Sequence, residues 1–246
     1  MSGRRFIGAL LAGWLVAVAV PSAPLAAQSA PKVRNKADFA GIASEYRRQR
    51  AADPDACCSF AAPVFDRMMS FRLFDTFEPV YEAQNERQKI LEFVPEGATV
   101  EDWSRMITLS AFSGAGAASV STAEMQARFF NSTKGCETTN FSRVIVSGRM
   151  VDGTEYNLSS IGCGSTAAGG YPGAVSGRGE QFLALLLRDK QNVVVLQYAE
   201  RGEGFAPGGE PISDETAKAV MSRFRSIAFC RSETPPSDCS IAFDAP

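Results

Sequence analysis

The spacing of hydrophobic positions changes several times along the chain, and each change marks a predicted element. After Lys36, the positions Phe39, Ile42, Ala43 and Tyr46 recur every three or four residues, and Arg47, Arg48 and Arg50 load the end where cations are favoured. This predicts a helix that Asp53-Pro54-Asp55 stops. Residues 65–74 fit helix and strand about equally by spacing and are read as a strand. Residues 79–85 and 88–94 read as two strands across a short polar link, and 106–112 as a third. The run Ser113-Gly-Ala-Gly-Ala-Ala reads as a loop. A helix over 121–130 follows, with Ser121 as its cap, Glu124 placed as in a capping box, and Met125 and Phe129 on one face.

Further on, residues 143–147 and 155–159 flank Val151-Asp152-Gly153-Thr154, and Asp-Gly between alternating segments is a strong hairpin signal. Residues 182–187 (FLALLL) and 193–198 (VVVLQY) form a second hairpin around Arg188-Asp-Lys-Gln-Asn192. Strands this apolar are expected at the centre of a sheet, covered on both faces. Between the hairpins lies a glycine-rich segment, 162–179, read as a connector. The last predicted element is a helix over 213–229, capped by Ser213, with Ala217, Val220, Met221, Phe224 and Ile227 as its apolar stripe. Hairpin-dominated strands with segregated helices predict an α+β fold: a mainly antiparallel sheet with helices packed against it, in a single disulfide-stabilised domain over 36–246.

The N-terminus alters this picture. Arg4 and Arg5 precede an apolar run, 6–20, and then Pro21-Ser-Ala-Pro-Leu25-Ala26-Ala27-Gln28. This is the pattern of a cleaved secretory signal over 1–27, and the run is shorter than the roughly 20 residues a bilayer core requires. Small polar residues over 28–35 then read as a disordered leader. The expected location is periplasmic or secreted, with no integral span after cleavage. Cleavage removes two arginines and makes the formal charge of −2 more negative. A mildly acidic chain without a basic run excludes nucleic acid as the main partner.

An exported chain with six cysteines is expected to use them as disulfides. Cys230 and Cys239 flank a stiff polar loop short enough for one bridge, and pairing Cys136 with Cys163 would tie a helix end to a strand end. Adjacent Cys57 and Cys58 are left over, open to a vicinal bridge or to separate distant partners.

The chain contains no histidine. This removes Ser-His-Asp and Cys-His catalysis and the usual His-containing metal sets, leaving carboxylate pairs, Ser-Lys pairs and calcium. Three candidate sites remain. In EFVPEGATVEDW (92–103), Glu96, Glu101 and Asp102 could act as a general acid/base group or take calcium, with Glu101 and Asp102 the ligand-binding candidates. The competing account is structural and preferred: Pro95-Glu96-Gly97 turns the chain, Thr99 caps a short helical turn, and Asp102 answers it. In the glycine-rich segment, Tyr171 and Arg178 could meet a ligand through stacking and charge, but Gly162-Cys-Gly164 completes neither a P-loop nor a dinucleotide spacing. For Ser-Lys chemistry, Ser132-Thr-Lys134 is one residue short, and Ser104, Ser119 and Ser165 have no lysine three positions on. Asn131, Asn140 and Asn157 fit the N-glycosylation pattern, which matters only in a eukaryotic secretory route.

The segment EFVPEGATVEDWSRMITL (92–109) resembles one found in uncharacterised exported bacterial proteins. More distantly, it is similar to the strand-turn-Trp-strand opening of the PsbP/Mog1-like α/β/α sandwiches. The resemblance implies a possible fold and carries no catalytic signature. The expectation is an exported, soluble, non-enzymatic envelope protein that binds a protein or small-molecule partner and needs no cofactor. The alternative is a carboxylate-dependent hydrolase using Glu96, Glu101 or Asp102 near the glycine-rich loop. A purely structural envelope component would instead show a large exposed apolar patch. Mass mapping of the mature protein with and without reductant tests the export reading: loss of residues 1–27 and bridged thiols are expected, and an intact Met1 with free thiols would sink it.

Overall fold

The computed structural model describes residues 32–53, 59–74, 76–131, 135–138, 141–167, 175–224, 226–231, 233–234 and 236–241. The signal segment, Cys57, Cys58 and Tyr171 lie outside them. The N-terminal part runs from strand β1 (Lys32–Asn35) through helix α1 (Ala40–Ala52) to the hairpin β2 (Ser59–Val64) and β3 (Arg67–Arg72). Strands β4 (Phe77–Gln84), β5 (Gln88–Pro95) and β6 (Arg105–Ser113) form a meander that leads into helix α2 (Thr122–Asn131). After the short β7 (Cys136–Thr138) come the hairpin β8 (Phe141–Arg149) and β9 (Glu155–Cys163), then β10 (Ser165–Thr166). The long hairpin β11 (Arg178–Arg188) and β12 (Asn192–Glu203) precedes helix α3 (Asp214–Phe224), strand β13 (Ala228–Cys230) and the turn α4 (Pro236–Cys239).

Eight strands make one sheet in the order β1-β4-β5-β6-β12-β11-β9-β8, with every pairing antiparallel. The apolar hairpin β11–β12 stands at its centre, as its composition predicts. Leu183, Leu185, Leu187, Leu196 and Tyr198 face the larger core, while Ala184, Leu186, Val193 and Val195 face the opposite one. Two-sided burial explains why these strands do not alternate apolar with polar.

The two faces are covered differently. Against the larger core packs a second sheet, β13-β3-β2, which contributes Met69, Phe71 and Phe229, together with Val220 and Phe224 of α3. Phe60, Phe71 and Phe93 meet between the two sheets with centroids 4.8–5.8 Å apart, at tilted and edge-on angles that suit the ring quadrupole. On the opposite face, Met125 of α2 covers Ile161, Ala184 and Leu186. Ser121 accepts the Glu124 N–H at 3.1 Å, and Ser213 likewise caps α3 through the Thr216 N–H at 3.1 Å.

Two expectations are corrected, and one strand is added. Lys32–Asn35, assigned to a disordered leader, forms β1, because Lys32 to Asn35 pair with Gln84 to Tyr81 and Arg34 reaches Glu82 at 3.2 Å. The helix expected to reach residue 229 ends at Phe224; Ile227 and Phe229 are buried with a period of two, and 228–230 join β3 as a strand. Strand β2 falls in a stretch to which the sequence reading assigned no element, and it contains Pro63. It lies at the edge of its sheet, the position where proline is tolerated.

Both pairings suggested from the sequence are present, although Cys136 begins a strand and does not end a helix. Cys136–Cys163 joins β7 to the end of β9, and Cys230–Cys239 closes the C-terminal loop. Among the described residues no helix is long and apolar enough to cross a membrane. Among the described strands, the outer ones of the main sheet are β1 and β8, and both are basic: Lys32 and Arg34 on one, Arg143 and Arg149 on the other, with no carboxylate on either. Like charge on both edges discourages edge-to-edge pairing of copies. Leu185→Ala should cost about 3 kcal/mol of unfolding free energy, as a large-to-small change in a closed core. Chemical denaturation checks this, and a cost near zero would mean that the site is not enclosed.

Candidate functional site

The corner after β5 is built from local hydrogen bonds. Gly97 adopts φ +89°, Ala98 N–H bonds the Pro95 carbonyl at 3.0 Å, and Thr99 Oγ1 accepts the N–H groups of Glu101 and Asp102 at 3.3 and 3.1 Å. No helical turn forms here, and it is the Asp102 backbone carbonyl that answers Thr99, accepting its N–H at 3.1 Å. Trp103 is buried beyond the turn among Val80, Val94, Met106 and Ala199. The Arg201 guanidinium stacks 3.9 Å from its ring centroid and pairs with buried Glu180 at 2.6 Å. The tryptophan and this ion pair fix the corner to the sheet.

The acids proposed for chemistry do not share a buried pocket. Glu96, Glu101 and Asp102 are all exposed, and Glu96 turns toward Arg47 of α1 at 3.4 Å. Arg178, also exposed, begins β11 opposite Glu203, while Tyr171 falls outside the described residues. Asn157 is fully buried, which removes it as a glycosylation acceptor. One serine-lysine spacing does occur, Ser29-Ala-Pro-Lys32, with Ser29 outside the described residues and Lys32 exposed on β1.

The acid that the corner does perturb is Glu92. It lies on β5 between Tyr81 and Thr108 of the neighbouring strands, half-buried. Burial, and then the negative charge of Glu101, push its carboxyl up to about 7. Burial and Glu92 in turn raise the Tyr81 hydroxyl. Sequence reasoning passed over Glu92, although a visible signal was present: a lone glutamate inside the apolar inner strand Ile90-Leu91-Glu92-Phe93-Val94.

A larger polar region lies at the opposite end of the sheet, where the β8–β9 and β11–β12 hairpins turn. Two adjoining clefts of about 670 and 740 Å³ share Arg149, Glu155 and Arg188. These three form a cross-strand row on β8, β9 and β11. Glu155 pairs with Arg149 at 2.6 Å and accepts the Thr122 hydroxyl at 2.6 Å. Arg188 Nε donates to the Gly116 carbonyl at 3.0 Å, and its other nitrogens donate to the carbonyls of Ala118 and Val120, clamping the connector ahead of α2. Gly116 cannot gain a side chain there, because a Cβ would stand 2.3 Å from the Asp189 carbonyl oxygen.

The second cleft is organised by buried Arg67. It bonds Asp152 at 2.8 Å and the Phe229 carbonyl at 2.9 Å, and forms an off-line ion pair with Asp189 at 2.6 Å. Burial pushes the Asp152 carboxyl up, but the Arg67 hydrogen bond and those from Thr154 outweigh it and leave the carboxyl below the usual range. Asp189 Oδ1 accepts the N–H groups of Gln191 and Asn192 at 2.7 and 2.6 Å, which closes the β11–β12 turn. The cleft mouths carry the exposed cations Arg149 and Lys190, with half-buried Arg231 beside them. Asn157 lines the first cleft, its Nδ2 without a hydrogen-bond partner. Among the described residues, no group of three or more histidines, cysteines or carboxylates is placed to hold a metal ion.

No known family model matches this chain, and no curated protein shows significant similarity to it.

The raised Glu92 carboxyl has a signed consequence for stability. The folded state holds its proton more tightly than the unfolded one, so stability falls as pH rises from about 4.5 to about 7. Glu92→Gln should therefore stabilise the protein at about pH 8 by roughly 2 kcal/mol, allowing for solvent screening, and change little at about pH 4. Urea titrations of both forms at the two pH values check this. A pH-independent difference would contradict the assignment.

Proposed function

We propose that this chain is an exported, single-domain α+β binding protein of the cell envelope, periplasmic or secreted, which takes a polar ligand or partner in the paired clefts at the hairpin ends. The observation that carries this reading is the clefts themselves: hydroxyl, amide and both signs of charge converge there. They are walled by groups that Arg67 and Arg188 hold in fixed positions. Preorganised polar walls suit recognition, since little ordering is left to be done on binding. The two disulfides and the secretory-type N-terminus support an oxidising destination. The likeness of 92–109 to exported bacterial proteins and to the PsbP/Mog1-like sandwiches agrees with a sheet covered on both faces.

A second reading is kept for one observation. Glu92, pushed up to about 7 by burial and then by the charge of Glu101, is the kind of perturbed carboxyl that carboxylate-dependent hydrolases use. In that reading Glu92 is the proton donor and Glu101 its partner, while exposed Glu96 and Asp102 fall away. Against it stands the distance along the sheet between this acid pair and the clefts.

Binding by the clefts is tested by thermal denaturation with small-molecule and macromolecular fractions of an envelope extract. One fraction should raise the melting temperature of the parent chain, by mass action on the folded state, and raise it much less for Arg149→Ala. No shift from any fraction, or an equal shift for the variant, would count against it. Loss of a hydrolytic activity in Glu92→Gln would favour the second reading.

A further inference from the structure

Strand β8 has properties that the described residues of the chain do not use. It is nine residues long and ends the main sheet, and no described strand pairs with its outer side. Ser142 to Ile145 and Ser147 to Arg149 are exposed, including the large apolar Val144 and Ile145. Beyond Arg149, at the hairpin tip, Val151 is 83 % exposed. Alternate residues of an edge strand turn their N–H and C=O groups outward, and such a row is a template for one more strand. A register shift at Val144/Val146 interrupts the ladder to β9, but pairing is regular from Val146 to Arg149. That regular part also lines the first cleft, through Ser147, Gly148 and Arg149.

Charge selects the occupant. The cross-strand row at this end runs Arg188, Glu155, Arg149, alternating positive, negative, positive toward the open edge. The next strand in such a row is favoured when it places a carboxylate opposite Arg149. A second copy of this chain does not meet that demand. Its own β8 and its other edge, β1, carry two cations each and no acid, so pairing through either edge sets like charges together.

We infer that the outer edge of β8, with the cleft beside it, takes an extended peptide segment bearing acidic side chains as an added strand of the main sheet. This rests on the reading of the clefts as a binding site and names its ligand class. Main-chain hydrogen bonds to β8 supply affinity, and Arg149 reads the acidic side chain.

The test uses the full mature chain and fluorescein-labelled peptides of alternating valine and glutamate, of alternating valine and lysine, and the glutamate peptide with N-methylated backbone amides. Fluorescence anisotropy should show the glutamate peptide binding about tenfold or more tightly than the lysine peptide, with the N-methylated form losing most of that affinity. Arg149→Glu is a change at an exposed position and should leave the circular dichroism spectrum unaltered. It should also reverse the preference, so that the lysine peptide binds the more tightly. Equal binding of the two charge types, undiminished binding of the N-methylated peptide, or no effect of Arg149→Glu would overturn the inference. If the peptides fail while an extract fraction still gives an Arg149-dependent melting shift, the binding site stands and only its ligand class falls. If no fraction shifts the melting temperature either, both fall.

Discussion

The structure depends on one constraint: β11 and β12 are apolar on both faces, so the sheet they centre must be covered twice. Leu183, Leu185 and Leu187 require one layer, and Ala184 and Leu186 another. Helices alone do not meet this demand. The larger face is closed by a second sheet of three strands with α3, and the smaller by α2 and the Trp103 corner. Dispersion and the hydrophobic effect then act over nearly the whole area of the central hairpin, and the flanking strands toward the edges carry more polar side chains as cover thins.

Once the centre is dry, charges near it need partners. Arg201 and Glu180 neutralise one another beneath Trp103, and Arg67 stands between Asp152 and Asp189. Removing one member of such a set leaves an uncompensated buried charge, which costs far more than the pair contributes. These ion pairs also have an architectural role. Arg67 joins the turns of two hairpins, and Arg188 holds the connector ahead of α2. The clefts are what remains between elements held apart in this way.

Much of the fold was legible because its strands announce themselves. The Asp-Gly hairpin, the FLALLL and VVVLQY runs and the Ser caps each carry a local physical signal, and local signals survive without tertiary information. Strands β1 and β2 carried none: one is four exposed residues paired through Arg34 and Glu82, the other contains Pro63. The end of α3 was misplaced because Ile227 extends the helical stripe as well as it begins the buried alternation before β13. The candidate site was less legible. The corner acids drew attention by their density, but density on a turn is what solvated residues show. Glu92 and the Arg149-Glu155-Arg188 row gain their meaning from register, which pairs residues far apart in the chain and is invisible in any short window.

The pairing of β6 with β12 has a temporal side. Arg105 to Ser113 bond to Glu200 to Asn192, so α2, the five strands β7 to β11 and the glycine-rich connector all lie in the intervening chain. Closing a loop of that length is entropically slow, and no shorter contact can stand in for it. The meander β4-β5-β6 thus keeps an unsatisfied apolar border until the last third of the polypeptide arrives. A chain organised in this way completes itself late, and its N-terminal half spends the interval in need of protection from other exposed strands.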